Sequence, residues 1–301
     1  MFIFFQTITR KQLSICPAHF LSRSAFLVLL AVVPKAFAQN TAPAAVTYQF
    51  APVAQHSLQL TAAYWNPILD HVSTKSGVRL SLRLARTSAE TTATVMAGEA
   101  DFAFTNHLFN PERASLGWKV FARRQAPRVS GQIIVPAESP VRSLSELAGK
   151  EVAFPGPEAL LAYKVTYAQL LEKQIPVTPV FAGNLDGAFS LMLSGRAAAM
   201  GSNSQMVTEY ASRENRKFRV LWSSPPCNDL ALMVSPRVPT VAVQAVEKAF
   251  TTMHKDPVGR LILEGAAKLV QARDPVIFVD ASDADYAAYR EFYRTVPASL
   301  R

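Results

Sequence analysis

The sequence predicts an α/β fold in two similar lobes, and three observations support this prediction. Short β-branched or aromatic runs alternate with longer stretches of helical period, which is typical of α/β construction. A segment that starts at residue 95 is repeated in outline from residue 192. Half of the 301 residues are apolar, so the chain can bury one large core or two smaller ones.

The first 38 residues have the layout of a secretory signal peptide. Residues 25–33 form an uninterrupted apolar run, and the residues before it include basic side chains but no acidic ones. Ala36 and Ala38 stand at alternate positions, as a signal peptidase requires, so we expect cleavage after Ala38. The run is shorter than the roughly 20 residues that cross a bilayer core, which disfavours a membrane anchor. The sequence therefore predicts an exported protein whose mature chain is residues 39–301.

Charge and cysteine content narrow the class of protein. The chain has 31 basic and 22 acidic residues, but four basic residues precede residue 39, which leaves 27 against 22, or +5. This excess is mild, and a nucleic-acid binder would show clustered basic residues with interleaved aromatics. Arg123, Arg124 and Arg128 do gather, and we interpret them as a solvated lobe edge, with an anion patch as the alternative. Cys227 is the only thiol after the leader, so no intramolecular disulfide is expected.

The first part of the mature chain predicts three strands and two helices. A helix over residues 58–76 ends at Gly77, and Pro67 either kinks it or lies close to its first turn. Strict alternation over residues 78–84 predicts a strand with one face toward the core. The other elements predicted here are a strand at 47–50, a helix at 88–97 ended by Gly98, and a strand at 101–105.

The next part of the chain repeats this alternation. Its predicted elements are a strand at 131–135, a short helix at 144–148 ended by Gly149, a strand at 151–154, and a longer helix at 158–173 that follows a Pro-Gly-Pro turn.

The internal repeat places similar polar residues at two strand ends. Residues 95–106 and 192–203 each read as helix, glycine cap, short buried strand and a hydroxyl-Asn pair. Ligands of open α/β sheets bind beyond the carboxyl ends of strands. The repeat therefore predicts two lobes that face one cleft, with these ligand-binding candidates: Thr105, Asn106, Ser202 and Asn203.

Four short motifs resemble those of a known family of periplasmic substrate-binding proteins. They are Tyr64, Pro67 and Ile68 before Gly77, then GEADFA at 98–103, SLSELAGKEVAF at 143–154, and GNLDGA at 183–188. In this order and spacing they resemble the phosphonate, phosphite and phosphate class of these proteins, which supply ATP-driven (ABC) importers. The resemblance covers nearly all of the mature chain.

The resemblance implies a type II periplasmic-binding-protein architecture. Two α/β lobes would be joined by a two-segment hinge, with residues 39–135 and 232–301 in lobe 1 and residues 136–231 in lobe 2. Residues 133–136 and 232–236 would be the hinge strands, and the lobes would close on a ligand. The implied partners are a small-molecule ligand and an inner-membrane ABC permease, with no cofactor, metal or catalytic residue, and the protein would be a monomer.

The chain departs from the family where the anion would bind. A hydroxyl-rich stretch of the family, which clasps the anion at a helix N-terminus, is replaced by residues 157–160, Pro-Glu-Ala-Leu. Glu158 either makes a good helix start or faces the cleft, where it would favour a neutral or amine-bearing ligand. Leu185 replaces a family histidine, whereas Asn184 and Asp186 remain. We expect Asp186 to cap the following helix, with contact to the ligand as the alternative.

Three further ligand candidates have alternative interpretations. His107 is either a donor at the cleft mouth or a surface-loop histidine. Tyr163 either reaches the cleft or packs in a stripe with Tyr167. Tyr48 either forms an aromatic wall or belongs to the core. With the strand-end residues, the predicted ligand-binding set is Tyr48, Thr105, Asn106, His107, Glu158, Tyr163, Asn184, Ser202 and Asn203.

The sequence favours binding over catalysis. It contains no zinc-protease, nucleophile-elbow, paired-cysteine or phosphate-loop motif, although enzymes also occur on bilobed folds. We expect a small polar ligand, with a phosphonate or related oxyanion first and a neutral or zwitterionic compound second. Delivery to a membrane signalling protein is the alternative to delivery to an importer.

Overall fold

The computed structural model describes residues 46–272 and 275–301. The predicted signal peptide, residues 1–38, and its cleavage site lie outside the described residues. Among the helices that are described, none combines the length and the apolar character needed to cross a membrane.

The described residues form strands that belong to two separate sheets. In chain order the strands are Thr47–Pro52 (β1), Arg79–Leu82 (β2), Phe102–Thr105 (β3), Lys119–Arg124 (β4), Gly131–Pro136 (β5), Glu151–Phe154 (β6), Thr178–Phe181 (β7), Ala199–Asn203 (β8), Phe218–Ser223 (β9), Ala231–Val234 (β10) and Phe278–Asp280 (β11).

Helices connect and cover these strands. The α-helices are Leu58–Ser76 (α1), Ser88–Met96 (α2), Pro111–Ala114 (α3), Thr166–Glu172 (α4), Leu185–Leu193 (α5), Ser204–Arg213 (α6), Thr240–Thr252 (α7), Pro257–Leu269 (α8) and Ala287–Thr295 (α9). A π-helical turn, Leu160–Val165, precedes α4, and short 3₁₀ turns lie at Ser145–Leu147, Met253–Lys255, Asp283–Tyr286 and Ala298–Leu300.

The two sheets have related topologies. The six-stranded sheet has the order β11-β4-β10-β3-β1-β2, and the five-stranded sheet has the order β7-β6-β8-β5-β9. Strand β3 lies between the parallel β1 and the antiparallel β10, and β8 lies between the parallel β6 and the antiparallel β5. The two copies of the internal repeat thus occupy equivalent strands of the two sheets, which confirms that prediction.

The chain crosses between the sheets twice, and the crossing segments pair with each other. The first segment, residues 125–130, joins β4 to β5, and the second, residues 224–230, joins β9 to β10. Val129 and Cys227 exchange two backbone hydrogen bonds across them, of 2.8 and 2.9 Å. Coupled extended segments of this kind can bend together when two lobes move.

The predicted position of the hinge strands was wrong. Residues 133–136 pair with β9 inside the five-stranded sheet, and residues 232–234 pair with β3 and β4 inside the six-stranded sheet. Strand β5 therefore lies in the second sheet, although residues 131–135 were assigned to lobe 1. Apolar alternation identifies a strand but not the sheet it joins, since buried strands of both sheets read alike. The lobe boundaries themselves remain a prediction.

Helix α1 packs its buried face against the six-stranded sheet. The Leu60 N–H donates to the Ser57 hydroxyl at its start, and Gly77, with φ of 71°, ends it in the left-handed region that glycine adopts most easily. Pro67 lies well inside the helix on its exposed side, where water can satisfy the carbonyl that loses its donor. Tyr64 and Trp65 are buried on the opposite face.

Candidate ligand site between the two sheets

Equivalent strand ends of the two sheets border one small cavity. Asn106 and His107 follow β3, and Asn203 ends β8, and all three line this cavity. Its other polar residues are Gln55, Ser88 and Asp229, and its volume is about 40 Å³. This volume exceeds the roughly 10–15 Å³ that one water molecule requires. The structure therefore brings together three of the predicted ligand-binding residues.

A helix N-terminus opens on the same cavity. Strand β6 ends at Phe154, and after the Pro-Gly-Pro turn residues 159–162 line the cavity as the π-helical turn begins. Among the hydrogen bonds of the described residues, none uses the backbone N–H groups of Leu160, Leu161 or Ala162. Unpaired N–H groups at the positive end of a helix attract anions.

Two predicted asparagines cap helices with their side-chain oxygens. The Met206 N–H donates to Asn203 Oδ1 over 2.9 Å at the start of α6, and the Gly187 N–H donates to Asn184 Oδ1 over 2.8 Å at the start of α5. This leaves the Nδ2 donor of Asn203 for a ligand. The capping role expected for Asp186 was wrong, since Asn184 performs it.

His107 is buried, which the surface-loop interpretation did not expect. Its ring Nδ1 is 2.8 Å from Thr92 Oγ1, and its backbone N–H donates to Thr105 Oγ1. Burial lowers the pKa of His107 to about 4; the negative charge of Glu158 opposes this shift, and the positive charges of Arg113 and Lys164 add to it. The imidazole is therefore neutral near pH 7 and brings no positive charge to the cavity.

Glu158 forms an ion pair with Arg113 that joins elements of the two sheets. Arg113 lies in α3, which follows β3, and Glu158 lies in the turn after β6. Burial alone would raise the pKa of Glu158, but the hydrogen bond and charge of Arg113 outweigh it and lower that pKa. The carboxylate is thus neutralised by a partner and does not stand alone beside the cavity.

Two other contacts bring the sheets together around the cavity. Asp186 at the start of α5 lies 3.8 Å from the ring of His56, which lies between β1 and α1. The Ser88 N–H donates to the Gly183 carbonyl over 3.2 Å. Like the Arg113–Glu158 pair, these contacts connect elements of the two sheets, and Ser88 itself lines the cavity.

A family model described as "ABC transporter, phosphonate, periplasmic substrate-binding protein" matches residues 50–286. The chain belongs to this family of periplasmic substrate-binding proteins. Its predicted role as the periplasmic component of an ABC importer is thereby confirmed. A search of curated proteins found no match.

Solved structures of similar proteins share the fold of this substrate-binding protein. A binding-protein component of an ABC phosphonate transporter from Pseudomonas aeruginosa has a TM-score of 0.69 and 14% identity, and the match covers 82% of this chain and 85% of that one. PhnD1 from Prochlorococcus marinus, in complex with methylphosphonate, has a TM-score of 0.69 and 14% identity, with coverage of 82% and 97%. A Xanthomonas citri protein bound to ATP has a TM-score of 0.63 and 14% identity, with coverage of 84% and 96%. The α/β, bilobed type II architecture is thus confirmed.

The substrate-binding protein also buries an ion pair that the sequence did not reveal. Arg124 at the end of β4 and Asp229 just before β10 are both buried and form a salt bridge of 2.5 Å. Asp229 lines the cavity, and Arg124 lies 5.1 Å from the centre of the Phe104 ring. The interpretation of Arg124 as part of a solvated edge was wrong. Its position two residues after the buried Ala122, on the same face of β4, was the signal that could have identified it.

The remaining predicted residues lie apart from the cavity lining. Tyr48 in β1 packs edge-on against Phe102, and Tyr163 packs against Phe154, Tyr167 and Phe181. Thr105 and Ser202 are buried, and each hydroxyl already contacts the backbone of its own strand end. These four residues support the site through packing and local hydrogen bonds.

Proposed function

We propose that this substrate-binding protein carries a phosphonate or a related oxyanion in the cavity between its sheets. The observation that supports this proposal is the helix N-terminus at Leu160, whose unpaired N–H groups border the cavity. The amides of Asn106 and Asn203 add neutral donors at the same place. Backbone and amide donors can replace the family's hydroxyl clasp, which this chain lacks.

The charges near the cavity favour recognition of an anion by neutral N–H donors rather than by an unpaired cationic side chain. Arg124 is paired with Asp229, and Arg113 is paired with Glu158. The buried Lys164 does not line the cavity, and its Nζ donates to the Arg301 carbonyl oxygen over 3.2 Å. His107 is neutral near pH 7 because its pKa is about 4. An anion would therefore be held mainly by N–H dipoles, whose strength does not change over the neutral pH range.

Titration calorimetry with methylphosphonate, phosphite, phosphate and neutral metabolites tests the ligand class. Asn203→Asp is the sharpest variant, since its side chain still caps α6 but puts a negative charge at the cavity. We expect it to weaken oxyanion binding at least about tenfold, or about 1.4 kcal/mol. Asn184→Asp is the matched control, because Asn184 caps α5 in the same way without lining the cavity. Binding of neutral metabolites alone would refute the oxyanion proposal.

We propose that the protein is a monomer that delivers its ligand unchanged to an inner-membrane permease, after cleavage of residues 1–38. N-terminal sequencing of the exported protein should start at Gln39. Crosslinking in cells should capture a permease, whereas capture of a sensor kinase, or release of a chemically altered ligand, would contradict the role.

A further inference from the structure

A second and larger cavity lies between the first crossing segment and α6. Its volume is about 280 Å³, close to the lower end of roughly 300–1,000 Å³ for small-molecule sites. Residues 124–129 form one wall, and α6 contributes Ser204, Gln205, Thr208 and Glu209. None of the asparagine and histidine residues assigned to the oxyanion lines this cavity.

Glu209 gives this cavity a buried acidic end. The residue is 3% exposed, and its Oε1 accepts a hydrogen bond of 2.7 Å from Gln205 Nε2. Its Oε2 takes part in no hydrogen bond of the described residues. In the same part of the chain, the buried Oε1 of Gln205 also lacks a partner. Two acceptor oxygens of this small cluster are therefore available to a donor.

The charges around Glu209 are not balanced by its neighbours. Arg124 lines the same cavity and its charge acts on Glu209, but the Arg124 guanidinium is already bonded to Asp229. Burial raises the pKa of Glu209, and the charge of Arg124 and the hydrogen bond from Gln205 offset this only in part. Arg128 also lines the cavity, but it is exposed, so water and salt screen its charge. The buried end thus favours a positively charged group.

The opposite wall of the cavity is hydrocarbon. Val270, Pro275 and Val276 line it, and Val270 and Val276 are 1% and 6% exposed. A ligand that enters would place apolar atoms here and a donor at Glu209. Contact between this apolar wall and water is unfavourable, so a ligand with apolar atoms would displace water from it.

We propose that this cavity is a second ligand site, which takes a small alkylammonium compound. The ammonium group would donate to the Glu209 carboxylate, and the alkyl chain would pack on the valine and proline wall. Since residues 125–129 belong to the first crossing segment, an occupant would contact both that segment and α6. This site is independent of the oxyanion proposal and uses different residues.

Calorimetry with n-butylammonium, 1-butanol and butyrate tests the proposal, with 5-aminopentanoate added to learn whether an acid at the far end of the chain is accepted. We expect both ammonium compounds to bind, and butanol and butyrate to bind at least about tenfold more weakly, as is typical of a charged hydrogen bond. Glu209→Gln should weaken butylammonium binding at least about tenfold, whereas Glu172→Gln, at an exposed glutamate on α4, should leave it unchanged.

Methylphosphonate titrated into the same variants separates this proposal from the proposed function. Glu209→Gln should keep the oxyanion affinity of the wild type, and loss of both ligands would instead show that the variant has unfolded. In that case Ala126→Phe, which fills the cavity from the crossing segment, should abolish butylammonium binding alone. No butylammonium binding to the wild type, or equal binding to wild type, Glu209→Gln and Ala126→Phe, would overturn the proposal.

Discussion

The guanidinium of Arg113 and the carboxylate of Glu158 form an ion pair across the two halves of the protein. Their side chains are 16% and 19% exposed, so the pair is more shielded from water than a surface salt bridge. Each residue follows a central strand of its own sheet, β3 or β6. The pair therefore stabilises the arrangement in which the strand ends enclose the cavity.

Removal of this ion pair should open the unliganded protein. We expect Glu158→Gln to increase the radius of gyration measured by small-angle X-ray scattering, and a double-mutant cycle with Arg113→Gln to give a coupling energy of about 1.5–3 kcal/mol. Glu112→Gln, at an exposed neighbour of Arg113, is the control. Because the pKa of Glu158 is lowered in the folded protein, this contribution should be present at neutral pH and lost as pH falls through that lowered value. An unchanged radius and zero coupling would contradict the bridging role.

The buried pair of Arg124 and Asp229 should contribute strongly to the stability of the fold. Asp229→Asn leaves the buried guanidinium without its counter-charge, so we expect urea denaturation to show a loss of about 3–5 kcal/mol in the free energy of unfolding. Asp70→Asn changes an exposed carboxylate of α1 and should cost less than about 0.5 kcal/mol. Equal stability of the two variants would contradict the role of Asp229 as the counter-charge of the buried Arg124.

The buried imidazole of His107 predicts a pH dependence of stability. The pKa of His107 is about 4 in the folded protein, whereas the pKa of a histidine in an unfolded chain is about 6.5. The unfolded state therefore binds more protons between these values, and stability should fall by up to about 3 kcal/mol as pH is lowered through this window. His107→Asn should remove that part of the pH dependence in denaturation curves recorded from pH 7 to pH 4.5. An identical slope in wild type and variant would show that His107 titrates normally.

Gly201 in β8 should be intolerant of any side chain. A Cβ at this position would lie 2.0 Å from the Ala162 carbonyl oxygen and 2.6 Å from the Phe154 ring. Gly201→Ala would push the π-helical turn away from the sheet and displace its N-terminus from the cavity. We expect the free energy of unfolding to fall by about 1–3 kcal/mol or more and oxyanion binding to be lost. Gly265→Ala in α8, where a Cβ meets nothing within 4 Å, should instead stabilise the protein by about 0.5–1 kcal/mol.

Much of the fold could be predicted because its signals are local. Helix α1 was predicted with its observed bounds, since the 3.6-residue period ends at a glycine in the left-handed conformation. The repeat around Gly98 and Gly195 located the equivalent strands β3 and β8, because helix, cap and buried strand follow one another within a dozen residues. The hinge could not be placed in this way, since sheet membership depends on pairing between distant segments.

The site was predictable only in part, because some of its contacts join residues that are distant in the sequence. Asn106, His107 and Asn203 stand at strand ends, where a general rule of α/β sheets places ligands. Arg124 and Asp229 are 105 positions apart, and no local sequence pattern around either residue predicts that they pair. The sequence leaves Glu158 with two interpretations, because only the folded structure places Arg113 beside it.

A crystal structure of the protein grown with methylphosphonate tests the central claim most directly. We expect the phosphonate oxygens within hydrogen-bond distance of the backbone N–H groups of Leu160 to Ala162 and of the Asn203 amide. Phosphonate density elsewhere, or an empty cavity under conditions where calorimetry shows saturation, would contradict the assignment of the helix N-terminus as the anion site.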